Sequence, residues 1–218
     1  MLRTLLVVAC AGLLTACASG ESTPTTTDIA KVLDVKSSFG PAFKVSTFGP
    51  AGVDPHLLSG QALPPGVVFD PADCAKVAAG LTVPEGLKGN MAATTAEGEG
   101  NRFITIAVET SEALPFPDPG DACKKFAFAA NGMRGLDEVV ESPTIDGVRT
   151  LGTHRVVQTM VNGKPASGEL YNYVAAFGNY RVIVTANPLV DPSKPVVPVN
   201  TQRASDLLSA SVKAIRGN

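Results

Sequence analysis

Residues 150–186 read TLGTHRVVQTMVNGKPASGELYNYVAAFGNYRVIVTA, and this stretch decides the fold. Its apolar runs are rich in β-branched and aromatic residues, which favour a half-buried sheet. The dipeptides Asn162-Gly163 and Gly178-Asn179 separate these runs, and both tolerate the positive φ angles of tight hairpin turns. The stretch therefore predicts consecutive antiparallel strands, a β-meander, over 150–161, 166–177 and 180–186.

Further strands are predicted upstream of this meander. A strand at 136–141 precedes it, and an earlier hairpin has its arms at 90–97 and 102–110 around a Gly98-Glu99-Gly100-Asn101 turn. In the second arm, apolar residues alternate with polar ones, as expected for a strand with one buried face. A first strand is predicted at 43–48.

Two amphipathic helices are predicted at the ends of the domain. The first covers 29–39 and is capped by Asp28 or Thr27. The second begins at Asn200 or Thr201 and ends near Ile215, with apolar residues at helical spacing and Arg203 expected to face outward. Four prolines precede this second helix, and because proline lacks a backbone donor they predict an extended surface loop.

Two short motifs share the opening Asp-Pro-x-Asp, at residues 70–73 and 118–121. Asp is a good N-cap residue and Pro suits the first helical position. Gly80 and Gly132 then supply stop signals. We therefore predict helices at 71–79 and 119–130. The complete pattern predicts an α+β fold, an antiparallel meander sheet with helices packed on it and one disulfide.

The first residues have the order of an export signal. Arg3 precedes an apolar run that is too short to cross a bilayer, and small residues follow it. Leu14-Thr15-Ala16-Cys17 then matches the lipobox of bacterial lipoproteins, in which the cysteine becomes residue one and carries a lipid. The alternative is a plain secretory signal that leaves Cys17 as a free thiol. We expect a signal peptide at 1–16, a lipidated Cys17 with a flexible tether at 17–27, and a single domain at 28–218.

The remaining cysteines follow from this assignment. Cys10 leaves with the signal and Cys17 is lipidated, so Cys74 and Cys123 form an even pair in an oxidising compartment. The simplest outcome is one disulfide. A metal site is not expected, because the isolated His56 and His154 offer no ligand spacing.

Composition excludes some function classes. The 218 residues carry a formal net charge of −2 with scattered Lys and Arg, so the electrostatic basis for nucleic-acid binding is missing. No phosphate-binding glycine motif and no nucleophile with a matching base is present. We therefore expect no enzyme, no cofactor and no nucleic-acid partner.

An aromatic row on the predicted meander is the candidate ligand site. Tyr171, Tyr173 and Phe177 share one face of their strand, and on a curved sheet that face could line a pocket for an apolar ligand. The alternative is that the row packs as ordinary core under the C-terminal helix.

The order of features resembles the small envelope lipoproteins of mycobacteria and relatives that carry domains of unknown function. The resemblance rests on the lipobox Cys17, the Ser/Thr-rich tether, Leu63-Pro64-Pro65-Gly66, the motif at 70–75 and the late strands. More distantly, the domain looks like the extracellular sensor domain of receptor kinases from those bacteria, with a disulfide-bearing α+β layout.

We accordingly expect an exported protein, anchored to the outer face of the cell membrane through its lipid. Its expected role is that of a non-enzymatic binding or interaction module of the cell envelope, with an envelope protein or lipid as partner. The alternative is a carrier or sensor of an apolar envelope molecule.

Overall fold

The computed structural model describes residues 27–54, 58, 63–79, 84 and 86–217. The predicted signal peptide, the lipidation site Cys17 and most of the predicted tether lie outside these residues, as does His56. Within the described part, no helix is long and apolar enough to cross a membrane.

The described residues form one antiparallel sheet of nine strands, in the spatial order β1-β3-β4-β9-β8-β7-β6-β5-β2. The strands are β1 (Phe43–Gly52), β2 (Val68–Asp70), β3 (Gly89–Gly98), β4 (Asn101–Thr110), β5 (Lys125–Ala130), β6 (Met133–Val140), β7 (Arg149–Val161), β8 (Lys164–Phe177) and β9 (Tyr180–Pro188).

The predicted hairpins are confirmed. Strands β7, β8 and β9 form the meander, with Asn162 and Gly163 at φ angles of 51° and 74° in the first turn. Strands β3 and β4 form the earlier hairpin, whose turn places Glu99 and Gly100 in the left-handed region. Because β4 pairs with β9, the two hairpin groups merge into a single sheet.

Both terminal helices are confirmed, and each is held at its start by the predicted cap. The N-terminal helix (Ile29–Ser38) is wound as a 3₁₀ helix, and its Asp28 carboxylate accepts a hydrogen bond from the Ala30 amide at 2.9 Å. The C-terminal helix (Thr201–Arg216) begins where the Asn200 side chain accepts one from the Arg203 amide at 2.9 Å. The prediction that Arg203 faces outward is wrong, because its guanidinium lies over the Phe43 ring, 4.9 Å from the ring centroid.

The helix predicted at 119–130 is wrong. Asp118 accepts a hydrogen bond from the Gly120 amide at 2.9 Å, which closes a local turn. Strand β5 begins five residues after Gly120, at Lys125. The residues of β5 alternate between buried and exposed, with Phe126 and Phe128 buried. This period of two outweighs the capping signal, because Phe126 and Phe128 could not share a helix face.

The predicted helix at 71–79 is shorter than expected and consists of a 3₁₀ turn (Ala72–Cys74) followed by one turn of α-helix (Ala75–Ala78).

The main core lies between the two terminal helices and one face of the sheet. We call this the helix face. Its side chains come from β1, β3, β4, β9 and β8, and they include the fully buried Phe103 and Val182 against Leu208 and Val212 of the C-terminal helix. A smaller cluster that includes Met91, Val108 and Ile183 lies on the opposite face.

The predicted disulfide between Cys74 and Cys123 forms, and both cysteines are buried beside Ala78 and Phe126. It joins the segment after β2 to the segment before β5. The described chain is mostly sheet, so the predicted α+β class holds in its coarse form, an antiparallel sheet with a few short helices and one disulfide.

Gly135 of β6 provides a test of this packing. A methyl group at this position would collide with the Phe128 ring and lie 2.5 Å from the Val156 carbonyl oxygen. We expect Gly135→Ala to lower the free energy of unfolding by about 1–3 kcal/mol, measured by urea denaturation. Gly168→Ala is the matched control, since a methyl group there meets no atom within 4 Å. Equal effects of the two substitutions would contradict the packing described here.

Candidate functional site

The aromatic row predicted as a ligand face is occupied by the protein itself. Tyr173 is buried in the main core, and this burial raises the pKa of its hydroxyl. Tyr171 and Phe177 pack at the margins of the same core, where Phe177 stacks on Tyr180 with the ring centroids 5.5 Å apart. Phe177 also borders an open recess of about 430 Å³ beside Arg149. Of the three residues, Tyr173 is thus part of the core, and Tyr171 and Phe177 lie half-buried at its margin.

His154 marks the end of the helix-covered region. It pairs with Tyr171 across β7 and β8, and the two rings stack with centroids 4.1 Å apart. Its Nδ1 lies 3.3 Å from a carboxylate oxygen of Glu138, and its Nε2 lies 3.3 Å from one of Glu169. A neutral imidazole has one N–H, so only the protonated ring can donate to both carboxylates.

Beyond His154 the helix face carries no helix among the described residues and forms an open groove of about 560 Å³. The strand register places the even-numbered residues of β2, β6 and β7 and the odd-numbered residues of β5 on this face. The groove is lined by Val68, Phe69, Asp70, Ala127, Phe128, Ala129, Arg134, Gly135, Leu136, Val156 and Gln158.

The groove is shaped by a contrast in side-chain size. Ala127 and Ala129 of β5 are small and exposed, and they lie between Val68 of β2 and Leu136 of β6. Val68 is 71% exposed, although it is a large apolar residue. The result is an apolar channel that runs along β5, with Val156 of β7 beside Leu136 at its margin.

Charged groups stand at the two ends of the channel. At one end Arg134 donates a hydrogen bond to the side-chain oxygen of Gln158 at 2.9 Å, and no carboxylate of the described chain pairs with it. At the other end Lys125 pairs with Glu138 at 3.1 Å, and Asp70 borders the channel opposite Ala127. The hydrogen bonds from Lys125 and His154 lower the pKa of the Glu138 carboxyl.

The reverse side of these strands is packed. Phe126 and Phe128 are buried there, next to the disulfide cluster. Asp137 and Arg155 form a buried ion pair at 2.6 Å, and Arg155 lies over the Phe128 ring. Burial raises the pKa of Asp137, and the Arg155 guanidinium opposes that rise. The channel floor is therefore supported from behind.

Sequence reasoning missed this channel. The alternation of Ala127, Phe128 and Ala129 is present in the sequence, but the capping motif at 118–121 predicts a helix there. Once β5 is read as a strand, its exposed alanines and the apolar Leu136 and Val156 indicate a sheet face with no charge at its centre. Among the described residues, no group of three or more His, Cys, Asp or Glu side chains is placed to hold a metal ion.

These observations define a class of protein built on one antiparallel sheet. The two terminal helices pack on one face of this sheet over five strands, and the same face is open over the other four strands, where it carries an apolar channel. The family model of a domain of unknown function, DUF5642, matches residues 28–216, and the chain belongs to this family.

A solved structure supports the same architecture. The X-ray structure of an uncharacterized protein from Mycobacterium smegmatis, an ortholog of Rv0999, is similar to this chain with a TM-score of 0.82 and 63% sequence identity. The match covers 89% of this chain and 100% of that one. A search of the curated proteins gave no match.

The ion pair at the channel end gives a testable pH dependence. The pKa of Glu138 in the fold lies below its ordinary value. The contacts of its carboxylate therefore stabilise the fold when the pH is above that ordinary pKa, and this stabilisation is lost as the pH falls through the lowered pKa. We expect Lys125→Met to move the pKa of Glu138 upward, measured by NMR titration of its side-chain carboxyl. Lys124→Met is the control, because Lys124 pairs with Asp121 instead at 2.7 Å. A titration of Glu138 that is the same in both variants would argue against the pairing.

Proposed function

We propose that this protein is a lipid-anchored, non-enzymatic binding module of the bacterial cell envelope. In this proposal the segment 1–16 directs export, Cys17 carries the lipid, and the tether to residue 27 lifts the domain off the outer face of the membrane. The single observation that supports a binding role is the open apolar channel of about 560 Å³ on the helix face.

The channel has the properties of a recognition surface. Water in contact with the exposed Val68 and with the half-buried Leu136 and Val156 is released when a partner covers them, and this burial contributes about 25 cal/mol per Å² of apolar surface. Contiguous exposed apolar surface with a polar rim is typical of interaction sites. Its floor consists of alkyl side chains, which offer contact and no acid, base or nucleophile.

A carrier or sensor of an apolar envelope molecule is the second candidate function. The observation that favours it is the channel's lack of hydrogen-bonding groups at its centre, where Ala127 and Leu136 face each other across β5 and β6. A volume of this size is within the range of small-molecule sites, about 300–1,000 Å³.

The anchoring part of the proposal is tested by replacing the lipidated residue. We expect Cys17→Ala, expressed in a mycobacterial host, to move the protein from the membrane fraction to the soluble fraction, because the acyl chains supply the membrane affinity. Cys10→Ala is the matched control and stays in the membrane fraction, since residue 10 leaves with the signal. Membrane retention of the Cys17→Ala protein would contradict lipid anchoring at this residue.

The binding part is tested by photo-crosslinking in living cells. A benzophenone amino acid is placed at Val156, which lines the channel, or at Val157, the neighbouring residue on the opposite face of the same strand. We expect an adduct at 156 and none at 157, detected by mass spectrometry. A protein adduct supports the interaction module and a lipid adduct supports the carrier. Absent adducts at 156, or equal adducts at both positions, would overturn the assignment of the channel as the binding surface.

A further inference from the structure

Resting on the proposed binding function, we infer that the channel takes a single-chain amphiphile with an anionic head, of the fatty-acid class. The acyl chain lies along β5 over Ala127 and Ala129, and the carboxylate lies at Arg134. The inference depends on the shape of the channel, its hydrogen-bonding capacity and the placement of its charges.

The shape of the channel fits a linear chain. Its lowest line follows Ala127 and Ala129, with Val68 on one side and Leu136 on the other. These flanking residues are on neighbouring strands, so the walls lie about 10 Å apart between backbones. A narrow track with one large apolar side chain on each side suits one hydrocarbon chain better than a broad or branched ligand.

The hydrogen-bonding capacity of the channel argues against a peptide. An extended peptide bound to a sheet needs backbone partners along its length, and it finds them at a sheet edge. The backbone groups of β5 are engaged by β6 on one side and, over Ala127–Ala129, by β2 on the other. A peptide lying over Ala127 and Ala129 would therefore leave its own N–H and C=O groups without partners, at a cost in free energy. A hydrocarbon chain has no such groups.

The placement of the charges gives the ligand its direction. Arg134 is exposed, its guanidinium is bonded to the neutral Gln158, and no carboxylate of the described residues forms an ion pair with it. At the opposite end Asp70 and Glu138 are acidic, and Lys125 is already paired with Glu138 at 3.1 Å. A carboxylate head is attracted by Arg134, which can bind it through two parallel N–H donors, and is repelled by Asp70.

The test uses cis-parinaric acid, a fluorescent fatty acid, and its methyl ester. The protein is the full chain with Cys17→Ala, so that no acyl chain of its own competes. We expect saturable binding of the acid, and binding of the ester about tenfold weaker, because the ester lacks the charge that Arg134 recognises. Arg134→Gln should weaken acid binding about tenfold and remove most of the preference for the acid over the ester. Lys164→Gln removes an exposed cation on β8 outside the channel and should change neither.

A second variant tests the position of the acyl chain. Leu136→Glu places a charge on the channel wall and should abolish binding of both probes, while circular dichroism and the unfolding midpoint report whether the fold is kept. The comparison of acid with ester in the unsubstituted channel requires no channel variant, so the inference stays testable if Leu136→Glu does not fold.

Three outcomes would overturn the inference: no saturable binding of the acid, equal affinities for acid and ester, or unchanged acid binding by Arg134→Gln. Crosslinking to a protein at Val156 together with no binding of cis-parinaric acid would remove the fatty-acid assignment and leave the proposed binding function standing. Absence of both signals would remove both.

Discussion

The sheet is about twice as wide as the two terminal helices that pack on it, and the rest of the structure depends on this difference in width. Strands lie about 4.8 Å apart, so nine strands extend across about 38 Å. Two helices of about 10 Å diameter cover roughly half of that width. The buried sheet residues of the main core accordingly come from the five strands β1, β3, β4, β9 and β8, and only the last residue of β6, Val140, reaches its margin. Strands β7, β6, β5 and β2 are left with one face that no described helix covers.

The uncovered part keeps its shape because its other face is packed. The Cys74–Cys123 disulfide, the rings of Phe126 and Phe128 and the buried Arg155–Asp137 pair all lie behind the channel. The open face therefore does not have to collapse to gain stability. A surface formed in advance loses little conformational entropy when it binds, which favours affinity.

Much of the fold could be predicted from local sequence, and the channel could not. Asn162-Gly163 and Gly178-Asn179 define their hairpins within a few residues, and Asp28 and Asn200 define helix starts, so each signal acts over a short distance. The helix predicted from Asp118 is wrong for the same reason, because its side chain closes only a local turn and does not determine whether Phe126 and Phe128 lie in a helix or a strand. Tyr173 and Leu136 are both apolar residues on one sheet face, and only the long-range strand order decides that a helix covers the first and not the second. The lipidation of Cys17 remains a prediction.

The Cys74–Cys123 disulfide also contributes to holding one wall of the channel in place. Strand β2 has three residues and, among the described strands, pairs only with β5, so few hydrogen bonds hold Val68 and Asp70 at the channel wall. The covalent link between Cys74 and Cys123 keeps the chain just after β2 beside the chain just before β5. Where thiols stay reduced, that wall is held by three residue pairs and the surrounding apolar contacts alone. The disulfide thus adds one covalent link to the three residue pairs that hold Val68 and Asp70 at the channel wall.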